Sequence, residues 1–215
     1  MLEEDKKLLA RPQPSAPEPF SAAELRAALR HPAAAIDVLL AQRARWTLTV
    51  VENREWGAMV ALMLVWTLAF SLPYGAVLSL ERAWRIAALF VGSVALCLPS
   101  LHIVSAYLGL RVHIAQSFAF ATIVATVAST FSFGFAPILW FLKVTSSDAA
   151  AHSTLPGLSA LLLCLAAFAG LVHGMRCLSL AQNMEGSAGF GAVVFLWQML
   201  LIFIGVRMSS ALGLT

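Results

Sequence analysis

The segment 112–142, VHIAQSFAFATIVATVASTFSFGFAPILWFL, decides the fold, because it runs for 31 residues without an Asp, Glu, Lys or Arg. A transmembrane helix needs about 20 predominantly apolar residues. At ~1.5 Å per residue an unbroken helix here would be about 46 Å long, against a hydrocarbon core of about 30 Å. Gly134 and Pro137 lie inside the segment, and an internal proline removes a helical hydrogen bond. Because the part 133–142 is too short to span the membrane alone, the sequence predicts one long kinked helix rather than a helix followed by a re-entrant half.

Four more uncharged stretches are each long enough for one tilted membrane helix: 58–80, 86–110, 149–175 and 186–206. The chain is 60% apolar and 12% charged, whereas a soluble domain is about 45–50% apolar and about 25% charged. The predicted fold class is therefore all-α, a polytopic transmembrane helix bundle of about five spans, with four or six left open by the 112–142 segment. No basic patch is dense enough for several phosphates, so we expect no nucleic-acid partner.

Charge divides the chain into three parts. Residues 1–57 hold eight basic and eight acidic side chains, whereas 58–215 hold six and three. We predict an extended or disordered Pro-rich N-terminus over 1–20, a cytoplasmic or interfacial helical segment over 21–57, and the bundle over 58–215.

Lys and Arg near the span ends favour an N-terminus inside, and the excess of Arg over Lys is typical of GC-rich bacteria. The expected location is a bacterial inner membrane, with a multi-pass chain.

The segment 21–57 carries helix signals of its own. Ser21 and Glu24 have the spacing of a capping box, and Pro32 suits the first position of a second helix. On that helix Ile36, Leu39, Leu40 and the stem of Arg43 share one face. This pattern fits a helix lying either on the membrane surface or on the ends of the bundle. The tryptophans near the helix ends are expected at the membrane interface, namely Trp46, Trp56, Trp66, Trp84 and Trp140.

Polar residues in the predicted spans are the first candidates for a functional site. No Asp, Glu, Lys or Arg lies centrally in any span, which disfavours ion-coupled transport. The candidates for a polar path or a hinge are Pro99, His102, Ser105, Gln116, Pro137 and Gln198. The alternative interpretation, which we favour, is that these are proline-marked helices whose polar groups bond to neighbouring helices.

A stripe of small residues marks the third span. Ser117, Ala121, Ala125 and Ser129 recur every four residues, with Thr122 and Thr126 beside them. Small side chains at this spacing let helix backbones approach closely. We therefore predict this helix at the centre of the bundle or at a contact between copies of the chain, although alanine is common enough here to produce such a stripe by chance.

No catalytic, cofactor or metal site is predicted. The sequence lacks the motifs of serine and metallo-hydrolases and a P-loop. Cys97, Cys164 and Cys177 are interpreted as small packing residues. His173 and Cys177 are four residues apart, but two ligands at a helix end are too few for a zinc site. The chain is not expected to be an enzyme.

Two patterns, in the order of the chain, resemble the Yip-domain family of five-span membrane proteins. They are Leu98-Pro99-Ser100-Leu101-His102-Ile103-Val104-Ser105-Ala106-Tyr107-Leu108-Gly109 and Ala136-Pro137-Ile138-Leu139. They follow a cytoplasmic N-terminal segment and sit among closely spaced helices with short loops, and the resemblance covers the chain from about Arg30 to its C-terminus. It implies a role in membrane organisation or trafficking, without catalytic residues.

Two functions remain in view. The first is a non-enzymatic scaffold or assembly subunit that works through helix packing and an N-terminal segment that binds a partner. Its expected partners are the lipid bilayer and either other subunits of a membrane complex or further copies of the chain. The second is a channel or small-solute transporter subunit with a polar path near His102. The lack of central charges favours the first.

Overall fold

The computed structural model of the protein describes residues 18–52, 55–107, 113–145, 149–185 and 190–214. Within these ranges the chain forms helices and turns and no β-strand. In chain order the helices are α1 (Ala22–Arg30), α2 (Pro32–Ile36) with a π-helical turn (Asp37–Ala41), α3 (Arg43–Val51), α4 (Trp56–Leu78), α5 (Leu80–Tyr107), α6 (Ile114–Thr145), α7 (Ala149–Glu185) and α8 (Phe190–Ala211). Of the predicted N-terminal region, 1–17 lies outside the described residues.

Within the described ranges, four helices are long and apolar enough to cross a membrane. These spans are Trp56–Leu78, Leu80–Val104, Ile114–Thr145 and Leu155–Cys177. The fifth predicted span corresponds to α8, of which the stretch Phe195–Ala211 is described in full and is apolar but shorter. Because α8 packs against α5, it belongs to the same bundle. The predicted all-α transmembrane bundle is confirmed.

Helix α6 is the central element of the bundle. It runs unbroken from Ile114 to Thr145, with Pro137 inside it, which confirms a single long helix over the deciding segment. All ten residues over 121–130 are buried. They are covered by α4 on one side and by α7 on another, so the middle of this helix contacts mainly other helices of the chain.

Two glycines on α7 allow its close approach to α6. A Cβ atom added to Gly170 would lie 2.5 Å from the backbone oxygen of Val124 and 3.0 Å from Cβ of Ala128. A Cβ atom added to Gly174 would lie 2.7 Å from Cγ2 of Val124. Gly170 and Gly174 form a Gly-x-x-x-Gly pattern, which packs membrane helices closely because the backbones themselves are in contact.

The N-terminal helices fold onto one end of the bundle, and we call residues 18–51 the N-terminal cap. Helix α1 packs on α4, and α3 packs on α7 and α6. Leu25, Leu39 and Trp46 are 0% exposed. The sequence left open whether this segment lies on the membrane surface or on the ends of the bundle. In the structure it packs on the bundle. Because the bundle covers it, Trp46 is not an interfacial residue as expected, whereas Trp56, Trp84 and Trp140 are at least half exposed.

Candidate functional site

The cap begins with the predicted capping box. Ser21 accepts a hydrogen bond from the backbone N–H of Glu24, and the Glu24 side chain accepts one from the backbone N–H of Ser21. Pro32 opens α2 as predicted, after His31 leaves the helical conformation. The box satisfies two backbone donors that would otherwise lack partners at the start of α1.

Arg45 on α3 holds the first residues of the cap, 18–24, against this helix. Its guanidinium donates to a carboxylate oxygen of Glu24 at 2.9 Å and to the backbone oxygen of Glu18 at 2.8 Å. It also lies 4.3 Å from the ring centroid of Phe20, close enough for a cation–π contact. The backbone N–H of Phe20 donates to the Thr49 hydroxyl at 2.8 Å. One arginine thus joins residues 18–24 to α3.

The Glu24 carboxylate is strongly favoured in its charged form. Hydrogen bonds from the Ser21 backbone, then from Arg45 and the Ser21 hydroxyl, lower the pKa of Glu24 from 4.5 to about 2. A lowered pKa in the folded state stabilises the fold above the unfolded pKa, and this stabilisation is lost as the pH falls through the folded value. The contact between α1 and α3 should therefore weaken between about pH 4.5 and about pH 2.

We expect Glu24→Gln to reduce this acid sensitivity of the cap. Glutamine can still serve the capping box, but it removes the charge that pairs with Arg45. The pair is partly exposed, so its loss at neutral pH should cost less than about 1 kcal/mol. Amide hydrogen exchange of residues 18–30 between pH 5 and 2 is the measurement, corrected for intrinsic exchange rates. Glu18→Gln is the control, and an equal effect of the two variants would refute the assignment.

Gln116, predicted to line a polar path, instead joins α6 to the cap. Its side-chain amide donates to the backbone oxygens of Val50 (3.2 Å) and Val51 (3.0 Å), which lie at the end of α3. Its side-chain oxygen accepts from the backbone N–H of His113 at 2.9 Å. The amide thus caps the end of one helix and the start of another, and its hydrogen-bonding groups are engaged with backbone.

Gln198 is buried between α8 and α7. Its amide donates to the backbone oxygen of Leu171 at 3.2 Å, and the residue is 4% exposed. The neighbouring Trp197 donates from its indole N–H to the backbone oxygen of Cys97 on α5 at 2.8 Å. Consecutive side chains of α8 therefore contact two different helices.

Among the described side chains, the other candidates for a polar path or hinge make no hydrogen bond to Gln116 or Gln198. Pro99 is exposed, and His102 is half-buried, with its Nδ1 atom buried and without a hydrogen-bond partner. Pro99 and Pro137 lie inside continuous helices. The side chain of Ser105 lies outside the described residues. Among the described side chains, no hydrogen bond connects any two of the predicted path residues.

The small-residue stripe is wholly internal. Ser117, Ala121, Ala125 and Ser129 are 6% exposed or less, and helices of the same chain cover them. A contact between copies would need a different surface. Two hydroxyls beside the stripe bond across to α4: that of Thr126 lies 2.9 Å from the Thr67 hydroxyl and 3.2 Å from the backbone oxygen of Met63, and that of Thr122 lies 3.5 Å from the Met63 sulfur.

Sequence reasoning missed Arg45 and the Gly170–Gly174 pair. The glycine pair was visible as a Gly-x-x-x-Gly pattern inside an apolar run. Arg45 carried no comparable signal, because an arginine near a span end is also explained by membrane topology. Within the described part of the chain, no three His, Cys, Asp or Glu residues gather as metal ligands would.

These features define a helical membrane bundle with a docked N-terminal cap. Comparison of the chain with protein-family models, with curated proteins and with solved structures finds no match. The resemblance to the Yip-domain family therefore stays a prediction, and function must be argued from the fold and its surfaces.

Proposed function

We propose that the protein is a non-enzymatic scaffold or assembly subunit of a membrane complex, and that the N-terminal cap is its partner-binding surface. The observation that carries this proposal is the division of the cap into two faces. The inner face packs against the bundle, since Leu25, Leu39 and Trp46 are fully buried there. The outer face is exposed and carries charged side chains, and the described part of the chain does not cover it.

Two arginines lie on the exposed face of α1. Arg26 and Arg30 are four residues apart on α1 and are both exposed. Among the described residues neither makes an ion pair or a hydrogen bond through its side chain. Basic residues on a rigid docked helix attract an acidic surface and orient it. A second membrane protein with an acidic segment is the partner that this charge fits.

The polar groups inside the bundle support the same proposal. Gln116, Gln198 and Thr126 bond to the backbone of neighbouring helices, which is what holds a bundle together. A channel or transporter would use such groups to line a continuous route. We therefore rank the transport function second, and place the N-terminus in the cytoplasm of a bacterial cell as part of the same proposal.

A photo-crosslinking experiment in native membranes tests the scaffold role. A photoreactive amino acid at Ala27, on the exposed face of α1, should give a discrete protein adduct. The same probe at Phe168, which is 65% exposed on α7, should give lipid adducts only. Reversing the charge of the exposed pair, with Arg26→Glu and Arg30→Glu, should remove the protein adduct without lowering protein yield.

Three outcomes of these experiments would contradict parts of the scaffold proposal. The scaffold proposal fails if the Ala27 probe finds no protein and the purified chain in liposomes conducts ions or solute. If His102→Ala also changes that flux, the transport function takes its place. An adduct at Ala27 that survives the charge reversal would show that Arg26 and Arg30 do not bind the partner.

A further inference from the structure

A lateral groove lies in the half of the bundle away from the N-terminal cap. It is a cavity of about 380 Å³ between α5, α7 and α8, with α6 as its floor. That volume falls in the range of small-molecule sites, about 300–1,000 Å³. Phe168 and Val206 line the groove and are also 65% and 60% exposed. The groove therefore opens between α7 and α8 toward the hydrocarbon of the membrane.

The walls of the groove suit a hydrocarbon chain better than water. Most of the lining is aliphatic or aromatic, and the polar side chains of Tyr74, Ser93 and Ser159 are already engaged. The Tyr74 hydroxyl donates to the backbone oxygen of Ser159 at 2.6 Å, and the Ser159 hydroxyl donates to the backbone oxygen of Pro156 at 2.8 Å. Ordered water needs about two to four polar partners, and these walls do not offer them.

One cation lies at the end of the groove nearest the helix termini. Arg82, two residues after the start of α5, lines the groove and is only partly exposed. Within the described chain its guanidinium has no ion pair or hydrogen bond. Its neighbour Arg85, by contrast, pairs with Glu81 and donates to the backbone oxygen of Leu212 at 2.8 Å. Ser209, near the end of α8, lines the same part of the groove.

We propose that this groove binds an anionic phospholipid, with one acyl chain between α7 and α8 and the phosphate group on Arg82. Guanidinium pairs with phosphate through two parallel hydrogen bonds, and the unpaired Arg82 supplies that fork at the level where lipid headgroups lie. Hydrocarbon-compatible walls below a free cation match the two halves of such a lipid. The inference is independent of the scaffold role of the cap.

Native mass spectrometry of the full chain in mild detergent tests this assignment. The probes are phosphatidylglycerol and phosphatidylcholine with identical acyl chains. We expect retention of phosphatidylglycerol in a 1:1 complex, with phosphatidylcholine held at least tenfold more weakly. Arg82→Gln should weaken phosphatidylglycerol binding about tenfold or more, since a charge-assisted bond is lost. Arg207→Gln should leave it unchanged, because Arg207 is exposed on α8 outside the groove.

Filling the groove with a larger side chain provides an independent test of lipid binding. Gly205 lines the groove, and a Cβ atom added there would meet nothing within 4 Å. Gly205→Leu should therefore fold and abolish retention of phosphatidylglycerol. Gly134→Leu is the matched control, because Gly134 also has open space and lies outside the groove. Equal retention of the two lipids, equal effects of Arg82→Gln and Arg207→Gln, or full retention by Gly205→Leu would each overturn the proposal.

Discussion

Replacing Trp46 by alanine should detach the N-terminal cap from the bundle. Trp46 is 0% exposed and packs edge-on against Phe120, with ring centroids 6.5 Å apart. Truncating a buried tryptophan costs about 3–5 kcal/mol through lost burial and the cavity left behind. Because the cap is small, this loss is a large part of its docking free energy. Amide hydrogen exchange in detergent should rise across residues 18–51 and stay unchanged over 121–130.

Two control variants separate burial from other effects of Trp46→Ala. Trp56→Ala removes a tryptophan that is 50% exposed and should cost far less. The indole N–H of Trp46 is buried without a hydrogen-bond partner, so Trp46→Phe keeps much of the apolar area and leaves no donor unsatisfied. We expect Trp46→Phe to keep the cap docked. If Trp46→Ala and Trp56→Ala changed exchange to the same extent, the cap would not be held by this side chain.

Adding one methyl group at Gly170 should disrupt the centre of the bundle. The new Cβ would lie 2.5 Å from the Val124 backbone oxygen and 3.1 Å from the Ala128 backbone nitrogen. Backbone atoms cannot rotate away, so α7 must move off α6. Overpacking of this kind costs about 1–3 kcal/mol and occasionally more. We expect Gly170→Ala to lower the thermal unfolding temperature in detergent.

Gly157→Ala is the matched control on the same helix. A Cβ atom at Gly157 meets nothing within 4 Å, and alanine in a helix is more stable than glycine by about 0.5–1 kcal/mol. Gly157→Ala should therefore be neutral or stabilising, opposite in sign to Gly170→Ala. If both changes had the same sign, α7 would not contact α6 through Gly170.

The elements of this fold follow from local sequence signals. The uncharged run 112–142 predicted one long helix because the part 133–142 is too short to span the membrane by itself. Ser21, Glu24 and Pro32 predicted two helix starts, because capping depends on residues within one turn. Such signals act over three or four residues, so they are readable without knowing what packs where.

The partners of individual residues were not predictable in this way. Gln116 was expected to face a polar path, yet it bonds to the end of α3, some 65 residues earlier in the chain. Trp46 looked interfacial because amphipathic side chains are common near span ends, but the bundle covers it. Both outcomes depend on which helix ends meet in space, and that depends on the sum of many contacts.

The cap docks on α7 through α3, and one engineered cysteine tests this contact directly. The Thr47 hydroxyl lies 3.5 Å from the backbone oxygen of Cys177 and also contacts the Cys177 side chain. Thr47→Cys, with Cys97 and Cys164 replaced by alanine, should therefore form a disulfide with Cys177 on mild oxidation in membranes. Trypsin followed by mass spectrometry should then show residues 46–54 linked to residues 177–207.

Thr49→Cys provides the control, because Thr49 is equally buried but lies on the other side of α3. There its hydroxyl accepts a hydrogen bond from the backbone N–H of Phe20. It lies on the same tryptic peptide and should give no link. We expect a disulfide from position 47 and none from position 49. Equal linkage from both positions, or none from position 47 under oxidation, would contradict the docked cap.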